Sequence, residues 1–166
     1  MIKSIIKFNL IIFLIFSLNA CGFKPMYKLS ENSIDFRSYS VAIINEDKIS
    51  REIKEEFEKS FPANDLGNSY VIEVNVTEHL DPLIINTDGT ISKYRIEIII
   101  NFKVNNKDGK TSLMEDRVRG FAQYSVETSE IESEDKKKRM IRTATNSAIQ
   151  MMISRIQSDT STTNDN

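Results

Sequence analysis

The sequence predicts an α+β fold: a two-layer sandwich with elements in the order β-α-β-β-β-α, a mostly antiparallel four-stranded sheet, and two helices on one face of it. Three observations carry this reading. Ile49, Ile53, Phe57 and Phe61 recur every fourth residue among charged side chains, the stripe of an amphipathic helix. Two segments, Tyr70–Glu78 and Ser92–Val104, alternate apolar and polar residues with the period of a half-buried strand. Helical spacing of apolar residues returns near the C-terminus, from Met140 to Ile156. Strands with one polar face suit a sheet that is covered on one side and solvated on the other.

Taken in order, Tyr39–Ile44 reads as a first strand, short and apolar enough to be buried. Asn45-Glu46-Asp47 follows as a turn, and Asp47 or Ser50 is placed to cap the first helix, with acidic residues near its positive end. Pro62 and the Asn64–Asn68 stretch end that helix. In the next strand Tyr70, Ile72, Val74 and Val76 share one face, and Glu73, Asn75 and Thr77 the other. A connector is expected after Glu78, with Asp81-Pro82 and Asp88-Gly89 as turn signals. Ser92–Val104 sets Tyr94, Ile96, Ile98, Ile100, Phe102 and Val104 against Lys93, Arg95, Glu97, Asn101 and Lys103. The Asp108-Gly109 pair marks a loop before a fourth strand, Ser112–Val126, in which Gly120 signals a bulge or a close backbone approach. The last helix begins near Ser129 or Ser133 and runs to about Ile156, with Glu130, Glu132, Glu134 and Asp135 at its start.

Ahead of this domain lies a segment of different character. Lys3 and Lys7 precede the apolar run Leu10–Phe16, and Leu18-Asn19-Ala20-Cys21 follows. A charged start, a short apolar run and a small residue before cysteine are the parts of a bacterial lipoprotein signal. The expected partition is a signal peptide at 1–20, one folded domain at 21–158 and a disordered tail at 159–166. Cys21 is the expected lipidation site. Its covalent N-acyl diacylglycerol is the only non-protein group expected, with no other cofactor. Each buried methylene contributes about 0.8 kcal/mol, so an anchor of two or three chains holds the protein to a lipid membrane durably. Gly22 at the following position resembles an outer-membrane address.

Composition narrows the function. Basic residues number 22 and acidic ones 24, and removing Lys3 and Lys7 with the signal leaves 20 against 24, a formal charge of −4. That balance argues against nucleic acid as a partner. Cys21 is the only cysteine and His79 the only histidine, so neither a Ser-His-Asp nor a Cys-His scheme, nor a His/Cys zinc site, has its residues. The expected set of catalytic and metal-binding residues is therefore empty, and the protein is read as no enzyme. His79 reads as a partly exposed polar residue, and Asp81 and Asp88 as solvated loop acids.

Two basic groups remain. Lys136-Lys137-Lys138-Arg139 reads as a solvated helix face with charge pairs, or as a membrane or phosphate contact. Lys93 and Arg95 on one strand, with Arg117 and Arg119 on the next, share a sheet face, and antiparallel pairing is expected to bring the four together. Like charges set opposite each other are unfavourable, so such a cluster points to an anionic partner. Glu97, Glu115 and Asp116 offer the competing reading, local neutralisation and solubility.

Cys21-Gly22-Phe23-Lys24-Pro25-Met26-Tyr27 resembles the Cys-Gly-Phe-(Arg/Lys)-Pro-(Leu/Met)-Tyr start of the lipopolysaccharide-assembly lipoprotein family LptE. Asp88-Gly89-Thr90 and Ser92-Lys93-Tyr94-Arg95, leading into an alternating strand, are similar to that family's central segment, with Lys93 where the family often has Arg. The element order fits across nearly the whole mature chain. The resemblance implies a non-enzymatic plug within the outer-membrane β-barrel LptD, lipid-anchored, facing the periplasm inside the barrel, and helping it assemble and deliver lipopolysaccharide to the cell surface. It also implies lipopolysaccharide phosphates as the anion for Lys93, Arg95, Arg117 and Arg119. The rival readings are a lipoprotein subunit of a phospholipid or solvent ABC export system, a lipid-anchored enzyme, and a structural lipoprotein without ligand.

Overall fold

The computed structural model describes residues 39–61, 70–109 and 111–163; Cys21, the Gly22–Tyr27 motif and the Asn64–Asn68 stretch lie outside them. Tyr39–Ile43 forms β1, which runs parallel to the start of β2, Tyr70–Ile85, in the register Tyr39 opposite Tyr70 through Ile43 opposite Val74. Parallel neighbours need a crossover, supplied here by a short 3-10 turn at Glu46–Lys48 and helix α1, Arg51–Ser60. β2 then pairs antiparallel with β3, Ile91–Asn106, which pairs antiparallel with β4, Ser112–Ser125. Helix α2, Glu130–Thr163, closes the chain. The strand order is β1-β2-β3-β4, so the sheet is mixed, with one parallel pairing at its edge.

One polar side chain ends β1. The Asn45 amide donates to the Val76 carbonyl at 2.7 Å and accepts from the Val76 N–H at 3.1 Å, standing in for the next residue of a strand. The chain is thereby free to turn into α1. Ser50 occupies the cap with extended backbone; its carbonyl accepts from Ile53 and Lys54, while its hydroxyl makes no capping bond. Ile53 and Phe57 are buried, and Ile49 and Phe61 pack at the margin, as the fourfold spacing requires.

β2 is longer than its alternation suggested. Asp81-Pro82 forms no turn; Pro82 lies within the strand opposite Tyr94, with a register shift directly after it. The reason is local. Val74 accepts from Ile44 across the β1 side, so every second residue, Val76 and Pro82 included, turns its backbone away from β3. Pro82 has no N–H to lose on that open side. The turn comes later, at Asn86–Thr90: Gly89 adopts φ +84°, its N–H donates to the Asn86 carbonyl, and Asn86 N–H donates to the Thr90 carbonyl at 2.7 Å.

Both helices cover one face of the sheet. The core joins Ile72, Val74, Ile96, Ile98, Ile100, Phe102 and Val118 from the strands to Ile53, Phe57, Ile141, Ile149, Met152 and Ile156 from the helices. α2 crosses β4 at Gly120, where Ala144 and Ala148 let helix backbone approach strand backbone. Arg142 on α2 bonds Glu55 on α1 at 3.0 Å and ties the helices together. Thr145 is fully buried and satisfies its hydroxyl on the Ile141 carbonyl at 2.8 Å. α2 continues past Ile156 to Thr163, into the segment expected to be a tail. Among the described residues no helix is long and apolar enough to cross a membrane.

Candidate functional site

The face of the sheet away from the helices carries the candidate site. Strand alternation sends odd-numbered residues of β3 and β4 to it: Lys93, Arg95, Glu97, Ile99, Asn101 and Lys103 from β3, and Glu115, Arg117, Arg119, Phe121 and Gln123 from β4. Their β2 neighbours are Glu73, Asn75, Thr77, His79 and Asp81. Both ends of the opposite, helix-covered face are pinned by stacked tyrosines: Tyr39 on Tyr70 with ring centres 4.9 Å apart, and Tyr94 on Tyr124 at 5.4 Å. Burial, and then the neighbouring Tyr70, push the Tyr39 hydroxyl above its usual pKa; burial does the same for Tyr124.

The four predicted cations share this face but do not form one cluster. Lys93 lies opposite Ser125 and Arg95 opposite Gln123, whereas Arg119 lies opposite Ile99 and Arg117 opposite Asn101. Four residues of strand separate Arg95 from the level of Arg119, roughly 14 Å, and eight separate Lys93 from the level of Arg117, roughly 27 Å. The expectation that all four converge fails on register, which no count of alternating residues supplies. Two pairs result, one toward the β2–β3 hairpin and one at mid-face.

Each pair contains one neutralised and one open cation. Arg95 bonds Asp81 directly across from it at 3.2 Å, and Arg119 bonds Glu97 at 3.3 Å along a diagonal. Lys93 and Arg117 make no ion pair among the described residues. Glu97 was a foreseeable neutraliser. Asp81 was not, because it read as a turn residue; once it belongs to β2, the hairpin register delivers it to Arg95. Asp116 turns to the other side, accepting from the Arg117 backbone N–H at 2.7 Å and lying 3.8 Å from Arg155 of α2. The Arg95–Asp81 pair is exposed on both sides, and such pairs contribute about 0.2–1 kcal/mol, so an anion of higher charge can displace Asp81; the Glu97 side chain is largely covered, at 14 % exposure.

Ile99 was assigned to neither face by the alternation. It sits on this outer face at 5 % exposure, between Thr77 and Arg119, while Phe121 is half exposed. The face is therefore charged at its rim positions with a small apolar centre. His79 is exposed opposite Glu97. At the hairpin tip Asp88 accepts from the Thr90 hydroxyl and N–H, which hold its carboxyl below the usual range. Half of the basic run on α2 is paired: Lys136 bonds Glu127 and Lys137 lies 3.8 Å from Glu134. Among the described residues no three His, Cys, Asp or Glu side chains gather as metal ligands would.

Comparison with known proteins adds an independent line. The model of the family LptE, lipopolysaccharide-assembly, matches residues 36–156. No curated protein sequence matches significantly. Among solved structures, a candidate lipoprotein of Caulobacter crescentus CB15 aligns with a TM-score of 0.58 at 9 % identity, over 74 % of this chain and 90 % of that one. A minor lipoprotein from Acinetobacter baumannii aligns at 0.53 with 13 % identity, over 73 % and 90 %. Lipoprotein B from Nitrosomonas europaea aligns at 0.50 with 10 % identity, over 74 % and 83 %. At such identities these likenesses establish the shared fold.

Proposed function

Because the chain belongs to the LptE family of lipopolysaccharide-assembly lipoproteins, with the family match running through every strand, α1 and α2 as far as Ile156, we propose that it serves as the plug of an LptD-type outer-membrane β-barrel. Members of this family act in lipopolysaccharide assembly without catalysis. On this reading the chain sits inside the barrel and is held to the membrane by lipid attached through Cys21. The observation that carries it is the match over residues 36–156, which covers the whole described sheet. A solvated, charge-laddered sheet face supports it physically: such a face is at home in the wet lumen of a large barrel, where an apolar one would not be.

On that reading the two cation pairs are contact points for lipopolysaccharide phosphates. Lys93 and Arg117 offer open charge; Arg95 and Arg119 exchange Asp81 and Glu97 for phosphate oxygens, a stronger acceptor for a guanidinium. Because the pairs are well separated, they bind as two sites rather than one pocket. The double variants Lys93→Ser/Arg95→Ser and Arg117→Ser/Arg119→Ser should each weaken lipopolysaccharide binding, and the quadruple variant should lose the salt-sensitive component. Unchanged binding by the quadruple variant refutes the assignment. Affinity capture of the mature protein from detergent-solubilised outer membranes, followed by identification of the bound barrel, tests the plug role; co-purification of an ABC-transporter component instead supports the rival export-system reading.

A further inference from the structure

Among the described residues β4 is the last strand of the sheet, and its outer edge is unpaired. Val126 N–H donates to the Ser92 carbonyl at 2.9 Å, and Ser125 lies opposite Lys93. In antiparallel geometry this makes Tyr124, Ala122, Gly120 and Val118 the residues that bond β3. Arg119, Phe121, Gln123 and Ser125 therefore turn their N–H and C=O groups outward, and among the described residues nothing accepts or donates to them. The register between β3 and β4 is unbroken from Met114 to Ser125, and β4 contains no proline. One position is closed: the Asp116 carboxylate takes the Arg117 N–H. The open stretch is thus Arg119–Ser125, centred near Phe121, which is 50 % exposed.

We propose that this edge pairs with the same edge of a second copy of the chain, antiparallel about Phe121. The edge is self-complementary. With Phe121 opposite its counterpart, Arg119 faces Gln123 and Gln123 faces Arg119, so each guanidinium meets an amide carbonyl and no like charges oppose each other. Centring the pairing on Arg119 or on Arg117 instead would set arginine against arginine. Phe121 gains an aromatic partner at the two-fold axis. The span from Arg119 to Gln123 matches in length the five-residue pairing by which β1 holds β2. The two-fold axis stands perpendicular to the sheet, so both α2 helices lie on one side. Met151, half exposed, is one turn before Arg155, which reaches Asp116 of β4; it lies on the flank that approaches the second copy. This inference is independent of the plug reading, since it concerns the protein before any barrel partner is met.

The test uses the mature lipoprotein in detergent, with protein mass separated from micelle mass by light scattering and absorbance. The expected mass is that of two chains, falling to one on dilution. Phe121→Glu sets two carboxylates face to face, and Phe121→Pro removes an outward N–H without touching the β3 ladder. Both variants should elute as single chains with unchanged circular dichroism. Shared occupancy of a micelle through the acyl anchors would persist in both variants, and that result overturns the proposal, as does a single-chain mass for the unaltered protein at every concentration.

Discussion

Replacing Gly120 by alanine tests how the two layers meet. A Cβ at this position would lie well inside contact distance of the Ala144 carbonyl oxygen and 2.7 Å from the Ala148 nitrogen. Both obstacles are helix backbone, so no side-chain rotation relieves them, and α2 must lift from β4. Overpacking of a filled core costs about 1–3 kcal/mol, and a backbone obstacle puts Gly120→Ala at the upper end, about 3 kcal/mol. For a domain of this size that corresponds to a loss of roughly 10 °C in Tm. The alternative has the opposite sign. If α2 did not press on β4, alanine would be the better strand residue and would stabilise by about 0.5–1 kcal/mol. Urea and thermal unfolding of the two proteins side by side decide it. Adding Ala144→Gly removes a methyl but leaves the carbonyl, so it should not rescue. Wild-type or higher stability for Gly120→Ala, or rescue by Ala144→Gly, refutes the close-approach argument.

Three further outcomes follow from the same geometry. Asn45→Ala removes two hydrogen bonds to Val76 and should cost about 1–3 kcal/mol, with faster hydrogen exchange at the Val76 amide; unchanged exchange there rejects the strand-ending role. Tyr39 titrates above its ordinary 10.0 because burial disfavours the phenolate. Its contribution is fully present below pH 10 and is lost as pH rises through the higher folded value, so Tyr39→Phe should flatten the alkaline fall in stability. Glu55 lies below its ordinary 4.5, chiefly through its bond to Arg51, with Arg142 adding to it. Its contribution is present above 4.5 and is lost as pH falls through the lower folded value. Glu55→Gln should therefore reduce the acid-side slope of an unfolding series and leave the alkaline side unchanged.

The order of elements and the identity of the core were legible in the chain, because burial on one face imposes period two on a strand and period 3.6 on a helix. Tyr70–Val76, Tyr94–Val104 and Ile53–Phe57 wrote those periods plainly, and Gly120 announced a close approach. The periodicity did not reveal where β2 ends: Asp81-Pro82 carries turn chemistry, yet proline is harmless on a side with no ladder. Nor did it reveal the parallel pairing of β1, or that α2 runs past Ile156. The candidate site shows the division most clearly. Alternation placed Lys93 with Arg95 and Arg117 with Arg119 on the polar side of their strands, and the need of both strands to turn their apolar sides to one core put all four on one face. Their separation into two pairs, and the partnering of Arg95 with Asp81 and Arg119 with Glu97, depend on which residue lies opposite which. Turn length and core packing fix that register across the sheet, so only the tertiary structure decided it.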